Sequence, residues 1–252
     1  MDMTNPPELE FIPFAFPCVP NVRCAFQIRR PPNEHTDAYT DNIALAVGPE
    51  ERAIANRRAI APTLKIAAWA AMHQVHGVDM YFEPLPNLPE HPETTQVDGL
   101  ATSRRNFGLM VKSADCQPLF LADSKGEYIA ALHVGWRGNR ADFPGRGVHE
   151  FCSRYKLAPE NVYAVRGPSL GRGAAEFNDV DAIWSAPFMP WFERESRTMD
   201  LWGITQHQLI QAGIPAEHIY SLDLCTYTLK DRFFSFRAGA EGRQASLIWL
   251  EE

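Results

Sequence analysis

Short apolar runs alternate with amphipathic stretches along this chain, and the alternation predicts buried strands interleaved with helices. Residues 107–111 and 128–134 are almost continuously apolar over a strand's length, which is typical of strands covered on both faces. Further strands are predicted at residues 161–165, 219–224, 233–236 and 245–250.

Two segments have helical character. Residues 147–157 are amphipathic, and residues 200–213 carry clear boundary signals. Asp200 can cap the start of the second helix, Gly213 can end it, and Pro215 prevents its continuation. The chain is therefore a mixed α/β or α+β protein, although periodicity alone does not fix its strand order.

Length and composition favour one large domain over residues 1–252. A chain of 252 residues, 45% of them hydrophobic, can bury roughly 70 to 75% of the surface that it exposes when unfolded. The net charge of −7 and the lack of a basic run argue against a nucleic-acid partner.

The uncharged stretch at residues 11–22 is interrupted by three prolines and follows an acidic start, so it predicts neither a signal peptide nor a membrane span. We therefore expect a cytoplasmic protein with no membrane partner. Its five cysteines are then expected to be free thiols or ligands.

Reactive side chains concentrate in three short segments, at residues 74–79 (QVHGVD), 113–118 (SADCQP) and 133–138 (HVGWRG). In the third, His133 closes an apolar strand, and two glycines predict a sharp turn around an exposed Trp136-Arg137 pair. A buried strand has little reason to end in an imidazole unless something binds it. Functional sites are often built at such strand ends.

Two imidazoles and a thiolate, from His76, His133 and Cys116, suit zinc and leave a fourth coordination position open. Their separations along the chain match no local zinc-finger spacing, so the fold must assemble any such site. From residue types alone, buried core histidines and an inert thiol remain an alternative.

Seven motifs in one order carry a family resemblance: QVHG, ADCQP, HVGWRG, GPSLG, CTYT, FFSFR and GRQASLIWL, between about residues 74 and 250. This series resembles the YfiH-like, polyphenol-oxidase/laccase-domain family. The resemblance implies that His76, Cys116 and His133 are zinc ligands, with Cu²⁺ as an alternative metal. Cys116 and His133 would thereby also be catalytic.

The same resemblance implies the fold. It is an α+β single domain of four layers, α-β-β-α, similar to the fold of a Cys-His deamidating toxin. The metal site would lie in a cleft lined by the motif loops.

Purine nucleosides and phosphate are the substrates that the resemblance implies. The activity would be phosphorolysis of adenosine, inosine and methylthioadenosine, with adenosine deamination as a side activity. Polyphenol oxidation is an alternative. A multicopper laccase, however, needs several His-x-His pairs, and none of the eight histidines forms one.

Several other residues are candidates for substrate contact. Arg137, next to a predicted ligand, suits phosphate oxygens, and Arg237 and Arg243 flank a predicted hairpin that could complete an anion pocket. Glu176 is a candidate acid or base, and Asp98 could orient a ligand histidine. For each of them a plain surface or turn role is the alternative.

Two rival functions use the same residues. In the first, Cys116 is a nucleophile and His133 its base, in a hydrolase or amidase acting on peptidoglycan precursors. In the second, the protein is a non-catalytic nucleoside-binding module.

Overall fold

Two β-sheets form the centre of the protein. The computed structural model describes residues 7–33 and 36–252. Its strands are β1 (Glu10–Ala15), β2 (Val22–Ile28), β3 (Ala68–Ala71), β4 (Met80–Phe82), β5 (Gly99–Thr102), β6 (Phe107–Ser113), β7 (Gln117–Asp123), β8 (Ile129–Val134), β9 (Val162–Arg166), β10 (Phe192–Glu193), β11 (Thr198–Met199), β12 (Ile219–Ser221) and β13 (Gln244–Leu250). Its α-helices are α1 (Glu50–Leu64), α2 (Trp136–Arg140), α3 (Phe143–Tyr155), α4 (Val180–Ile183) and α5 (Leu201–Gln211).

The larger sheet has six strands in the order β12-β9-β7-β8-β5-β4, and the other has five in the order β1-β2-β13-β6-β3. Both sheets mix parallel and antiparallel pairs. In the six-stranded sheet β7 pairs antiparallel with β8 and β9, whereas β12 runs parallel to β9. Chain neighbours β6 and β7 lie in different sheets, so the segment that joins them crosses between the sheets.

Three apolar cores explain why the central strands are apolar throughout. Between the two sheets, Phe26 of β2 stacks on Phe120 of β7 with ring centroids 5.5 Å apart. The opposite face of the six-stranded sheet packs on α3 and α5, and that of the five-stranded sheet packs on α1. Because side chains alternate along a strand, Leu109 of β6 enters the first core and Met110 the third.

This packing confirms the mixed α/β fold predicted from the sequence. The four-layer arrangement that the resemblance implies stays a prediction. The comparison with the deamidating toxin stays a prediction.

The two predicted helices are present with boundaries close to those expected. In α5 the Asp200 carboxylate accepts a hydrogen bond from the Gly203 N–H at 2.9 Å, and Gly213 beyond the helix has φ +97°. Among the described residues the longest helix, α1, has 15 residues. None of the helices in residues 7–33 and 36–252 is long and apolar enough to cross a bilayer.

Three local predictions were wrong. Residues 233–236 form no strand, because the Gln244 side chain bonds both the N–H and the carbonyl of Phe234 and replaces the expected ladder; the predicted hairpin is therefore also absent. The strand predicted at 219–224 ends at Ser221. The segment after His133 is helix α2 instead of a sharp turn.

Candidate metal centre

The structure brings His76, Cys116 and His133 together. One ligand atom from each lies within 4.8 Å of the others, and the Cys116 Sγ is 3.9 Å from the His76 Nε2. The two imidazole rings are 4.9 Å apart and nearly perpendicular. His133 is buried, Cys116 half-buried and His76 exposed, so the cluster is reached from one side.

The sheet register accounts for the pairing of Cys116 with His133. Pro118 lies opposite His133 in the antiparallel β7–β8 pair, and Cys116 immediately precedes β7. His76 lies in the loop that follows β3, a strand of the five-stranded sheet. The cluster therefore forms where the ends of the two sheets meet.

Asp98 organises two of the three residues. Its fully buried carboxylate contacts the His133 Nδ1 at 2.8 Å and accepts hydrogen bonds from the N–H groups of Val75, His76 and Gly77 at 3.1, 3.0 and 2.7 Å. Burial raises the pKa of this carboxyl, but His133 and the backbone donors outweigh burial and lower it. Because Nδ1 is engaged, the His133 Nε2 is left for a ligand or for Cys116.

Cys116 and His133 form an electrostatic pair. Burial raises the pKa of the Cys116 thiol, but the charge of His133 and hydrogen bonds from both histidines lower it to about 6. Burial lowers the pKa of His133, whereas Cys116 and Asp98 raise it to about 9. The sulfur is held as a thiolate, the form that binds metals and attacks carbonyl groups.

The donor set and the space around it fit a metal ion. Two imidazoles and a thiolate suit zinc and accept copper, and three protein ligands leave one position for water or substrate. Gly135 keeps the site open, since a Cβ there would lie 2.9 Å from the Cys116 Sγ and 3.2 Å from the His76 Cδ2.

Three arginines were predicted to contact substrate. Arg137 is exposed on α2, with its guanidinium 4.2 Å from the centre of the Trp136 ring. Arg237 is exposed, and its side chain donates to the Glu176 carbonyl at 3.1 Å. Arg243 is half-buried, and its guanidinium lies 6.0 Å from the Phe236 ring centre.

Arg237 therefore contacts Glu176 through the backbone carbonyl of Glu176 and not through its carboxylate. Glu176 itself is exposed. The Arg243 guanidinium also donates to the carbonyl of Gly242 at 2.9 Å.

Asp115, the neighbour of Cys116, joins several motif loops. Its carboxylate accepts hydrogen bonds from the Thr226 hydroxyl at 2.6 Å and the Arg237 N–H at 2.7 Å. Its carbonyl accepts one from the Leu170 N–H at 2.9 Å. With φ +91°, Asp115 adopts a backbone conformation that is uncommon for a side-chain-bearing residue.

One feature that the sequence did not predict is a buried amide and hydroxyl network behind Cys116. Asn139 of α2 accepts from the Gln117 amide at 3.0 Å and donates to the Thr205 hydroxyl at 2.8 Å and to the Gln208 side-chain oxygen at 3.1 Å. The network fixes α2 against α5, and so fixes the base of the segment that carries Arg137. Its members are dispersed along the sequence, which offers no local signal.

Replacing Asp98 by asparagine is expected to weaken zinc binding by about 10- to 100-fold, because the amide cannot accept every bond that the carboxylate accepts. Competition with a chromogenic chelator would measure this change. D123N is the matched control, since Asp123 is a buried carboxylate that caps backbone N–H groups in the turn after β7. Equal zinc affinity in D98N and wild type would contradict the orienting role.

A His-Cys-His cluster on a mixed α/β fold defines a candidate metalloprotein. The chain belongs to the family described as multi-copper polyphenol oxidoreductase laccase, whose model matches residues 23–251.

Two relatives are named for a reaction. The chain is similar to the purine nucleoside phosphorylase YlmD of Geobacillus stearothermophilus, with 29% identity over 230 residues and 84% of each chain covered. It is 32% identical over 188 residues to the purine nucleoside phosphorylase YfiH of Escherichia coli, covering 71% of this chain and 72% of that one. The crystal structure of YlmD from Geobacillus stearothermophilus superposes with a TM-score of 0.79 at 25% identity, covering 94% of both chains.

Proposed function

We propose that this protein is a zinc-dependent purine nucleoside phosphorylase that acts on adenosine, inosine and methylthioadenosine. The observation that carries the proposal is the convergence of ligand atoms from His76, Cys116 and His133 within 4.8 Å of one another, with His76 exposed to solvent. The names of the relatives support the choice of reaction.

His76, Cys116 and His133 would hold the metal, and a zinc ion there would supply a Lewis acid that stabilises negative charge on a substrate oxygen. Asp98 keeps the ring of His133 in one orientation and fixes the backbone beside His76. Gly135 leaves room beside the sulfur.

Phosphorolysis needs a cation for phosphate and a path for one proton. A phosphate oxygen attacks C1′ of the ribose, the C1′–N9 bond breaks, and its electron pair leaves on the base, which takes up a proton. Arg137 is proposed to hold phosphate oxygens, because it lies on α2 directly after the strand of His133 and its guanidinium fork matches such oxygens. Arg237 and Arg243 are the further cations proposed for this anion.

The decisive experiment incubates zinc-loaded protein with adenosine and phosphate and separates adenine, inosine, ribose and ribose 1-phosphate. We expect adenine and ribose 1-phosphate in equal amounts, and inosine only as a side product. In H76A both products should be lost. H73A should retain them, because His73 is an exposed histidine three residues away and outside the cluster.

Adenine with free ribose would indicate hydrolysis in place of phosphorolysis. Saturable adenosine binding without release of any product would refute the enzyme and support the nucleoside-binding module. Oxidation of a phenol that depends on added copper, with no base release, would support polyphenol oxidase.

A second candidate function is a Cys-His hydrolase that acts on the amide bonds of peptidoglycan precursors. Asp98 would orient the ring of His133, and His133 would act as the base for the Cys116 thiolate. Such a series is the arrangement of a cysteine nucleophile. Zinc content and iodoacetamide labelling discriminate between the two. Stoichiometric zinc that protects Cys116 supports the phosphorylase, whereas metal-free protein whose Cys116 reacts quickly near neutral pH supports the hydrolase.

A further inference from the structure

A cavity lies at the edge of the six-stranded sheet, away from the predicted metal ligands. It occupies about 280 Å³ where the parallel strands β9 and β12 end at Arg166 and Ser221. The first turn of α5 and Arg172 complete its lining. Ligands commonly bind at the carboxyl ends of parallel strands, where polar loop and helix groups converge.

Arg166 is the charged group buried in this cavity. Its side chain is 6% exposed, and its guanidinium stacks 4.0 Å from the centre of the Trp202 ring. The Trp202 indole N–H donates to the Ser169 hydroxyl at 2.9 Å, which fixes the stacking surface. Burial lowers the pKa of Arg166 to about 10, although Asp223 acts in the opposite direction.

The partner of Arg166 is more exposed to solvent than the partner of Arg57, which is the other buried arginine among the described residues. Asp223 pairs with Arg166 but is 69% exposed, so its carboxylate lies in water at the cavity. By contrast, Arg57 and Glu93 form an ion pair in which the side chains are only 1% and 6% exposed. Because the Asp223 carboxylate is solvated, an incoming anion can take its place beside the buried guanidinium of Arg166.

A second cation faces the same space. Arg172 is 61% exposed, and the oxygen of Glu193 paired with it is 4.0 Å away, the outer limit of an ion pair. Asp200 also lines the cavity; one of its carboxylate oxygens accepts from the Gly203 N–H, and its negative charge raises the pKa of Arg166, as that of Asp223 does. Two guanidinium groups on one cavity match the oxygens of phosphate or carboxylate groups.

We propose that this cavity is a second ligand site, which binds a small molecule through a phosphate or carboxylate group held by Arg166 and Arg172 in place of Asp223. The site is distinct from the proposed phosphorylase centre. The turn 167–171 lies between them: Ser169 faces Trp202 of the cavity, whereas the Leu170 N–H donates to the carbonyl of Asp115 beside Cys116. The inference does not depend on the proposed function.

Titration calorimetry with inorganic phosphate, ribose 5-phosphate and malonate tests the proposal. All proteins carry R137Q, which removes one of the three arginines proposed for the phosphorylase centre. Any remaining binding at that centre is common to all variants, because neither Arg172 nor Asp223 belongs to it. We expect saturable binding in R137Q alone. R172Q should weaken binding about tenfold through loss of a charged donor. D223N should tighten it about fivefold, because it removes the competing carboxylate.

The opposite signs of the two variants separate a ligand site from a structural ion pair. Asp223 and Arg172 are both exposed, so neither variant is expected to unfold the protein. Tighter binding of the two phosphates than of malonate assigns a phosphate ligand, and the reverse assigns a carboxylate. Absence of saturable binding for all three ligands, or equal affinities in R172Q, D223N and their parent, would overturn the proposal.

Discussion

Replacing Cys116 by serine is expected to remove bound zinc and to lower kcat/KM for adenosine phosphorolysis by about a thousandfold. A serine hydroxyl does not ionise near neutral pH, so the site loses its one anionic ligand. Loss of Lewis-acid stabilisation of several kcal/mol, here about 4 kcal/mol, corresponds to that factor. Zinc content after dialysis and initial rates of adenine release measure the two effects.

C225S is the matched control for this variant. Cys225 is also half-buried, but its sulfur accepts only a hydrogen bond from the Gly171 N–H at 3.2 Å and lies outside the cluster. We expect C225S to keep its zinc and most of its activity. A C116S protein that retains full zinc but loses all activity would instead identify Cys116 as a nucleophile, and retention of both zinc and activity would exclude either role.

The elements that could be predicted from the sequence are those whose signal is local. Residues 107–111 lie within β6, and all but the first of residues 128–134 form β8. Both strands are buried on both faces, so an uninterrupted apolar run was sufficient to identify them. In α5, the cap of Asp200 and the break at Gly213 are also local properties of the chain. The same reasoning failed at residues 233–236, because a distant side chain, Gln244, satisfies the backbone there.

Residue types and spacing alone indicated only which side chains suit a metal, and the family resemblance was needed to select the three candidate ligands. His76, Cys116 and His133 come from both sheets, and no spacing rule brings them within 4.8 Å of one another. Asp98 was proposed to orient a histidine, but the three hydrogen bonds that it accepts from the N–H groups of residues 75–77 depend on a loop conformation that the sequence does not reveal. The pairing of Arg166 with Trp202 and Asp223 likewise depends on tertiary structure.

Replacing Asp115 by asparagine is expected to lower the free energy of unfolding by about 2 kcal/mol and phosphorolysis by about a hundredfold, while zinc stays bound. The Asp115 carboxylate accepts hydrogen bonds from the Thr226 hydroxyl and the Arg237 N–H, and bonds to a charged group contribute about 1.5 to 3 kcal/mol each. The asparagine amide has one oxygen, so it can accept only one of these two hydrogen bonds. Its NH₂ group then faces the other donor, which leaves that donor unpaired. Because asparagine tolerates positive φ, the change tests the hydrogen bonds without adding backbone strain.

The activity loss follows from what Asp115 connects. The segment held by its carboxylate carries Arg237, one of the cations proposed for phosphate, and a shift of about 1 Å in a positioning group costs about a hundredfold in rate. The three predicted ligands do not include Asp115, so zinc stoichiometry should be unchanged. T226V, which removes one of the two side-chain bonds, should show the same pattern at less than half the loss of stability. Loss of zinc in D115N would assign Asp115 to the metal site itself, whereas wild-type activity in a destabilised D115N would restrict Asp115 to folding; either result contradicts the positioning role.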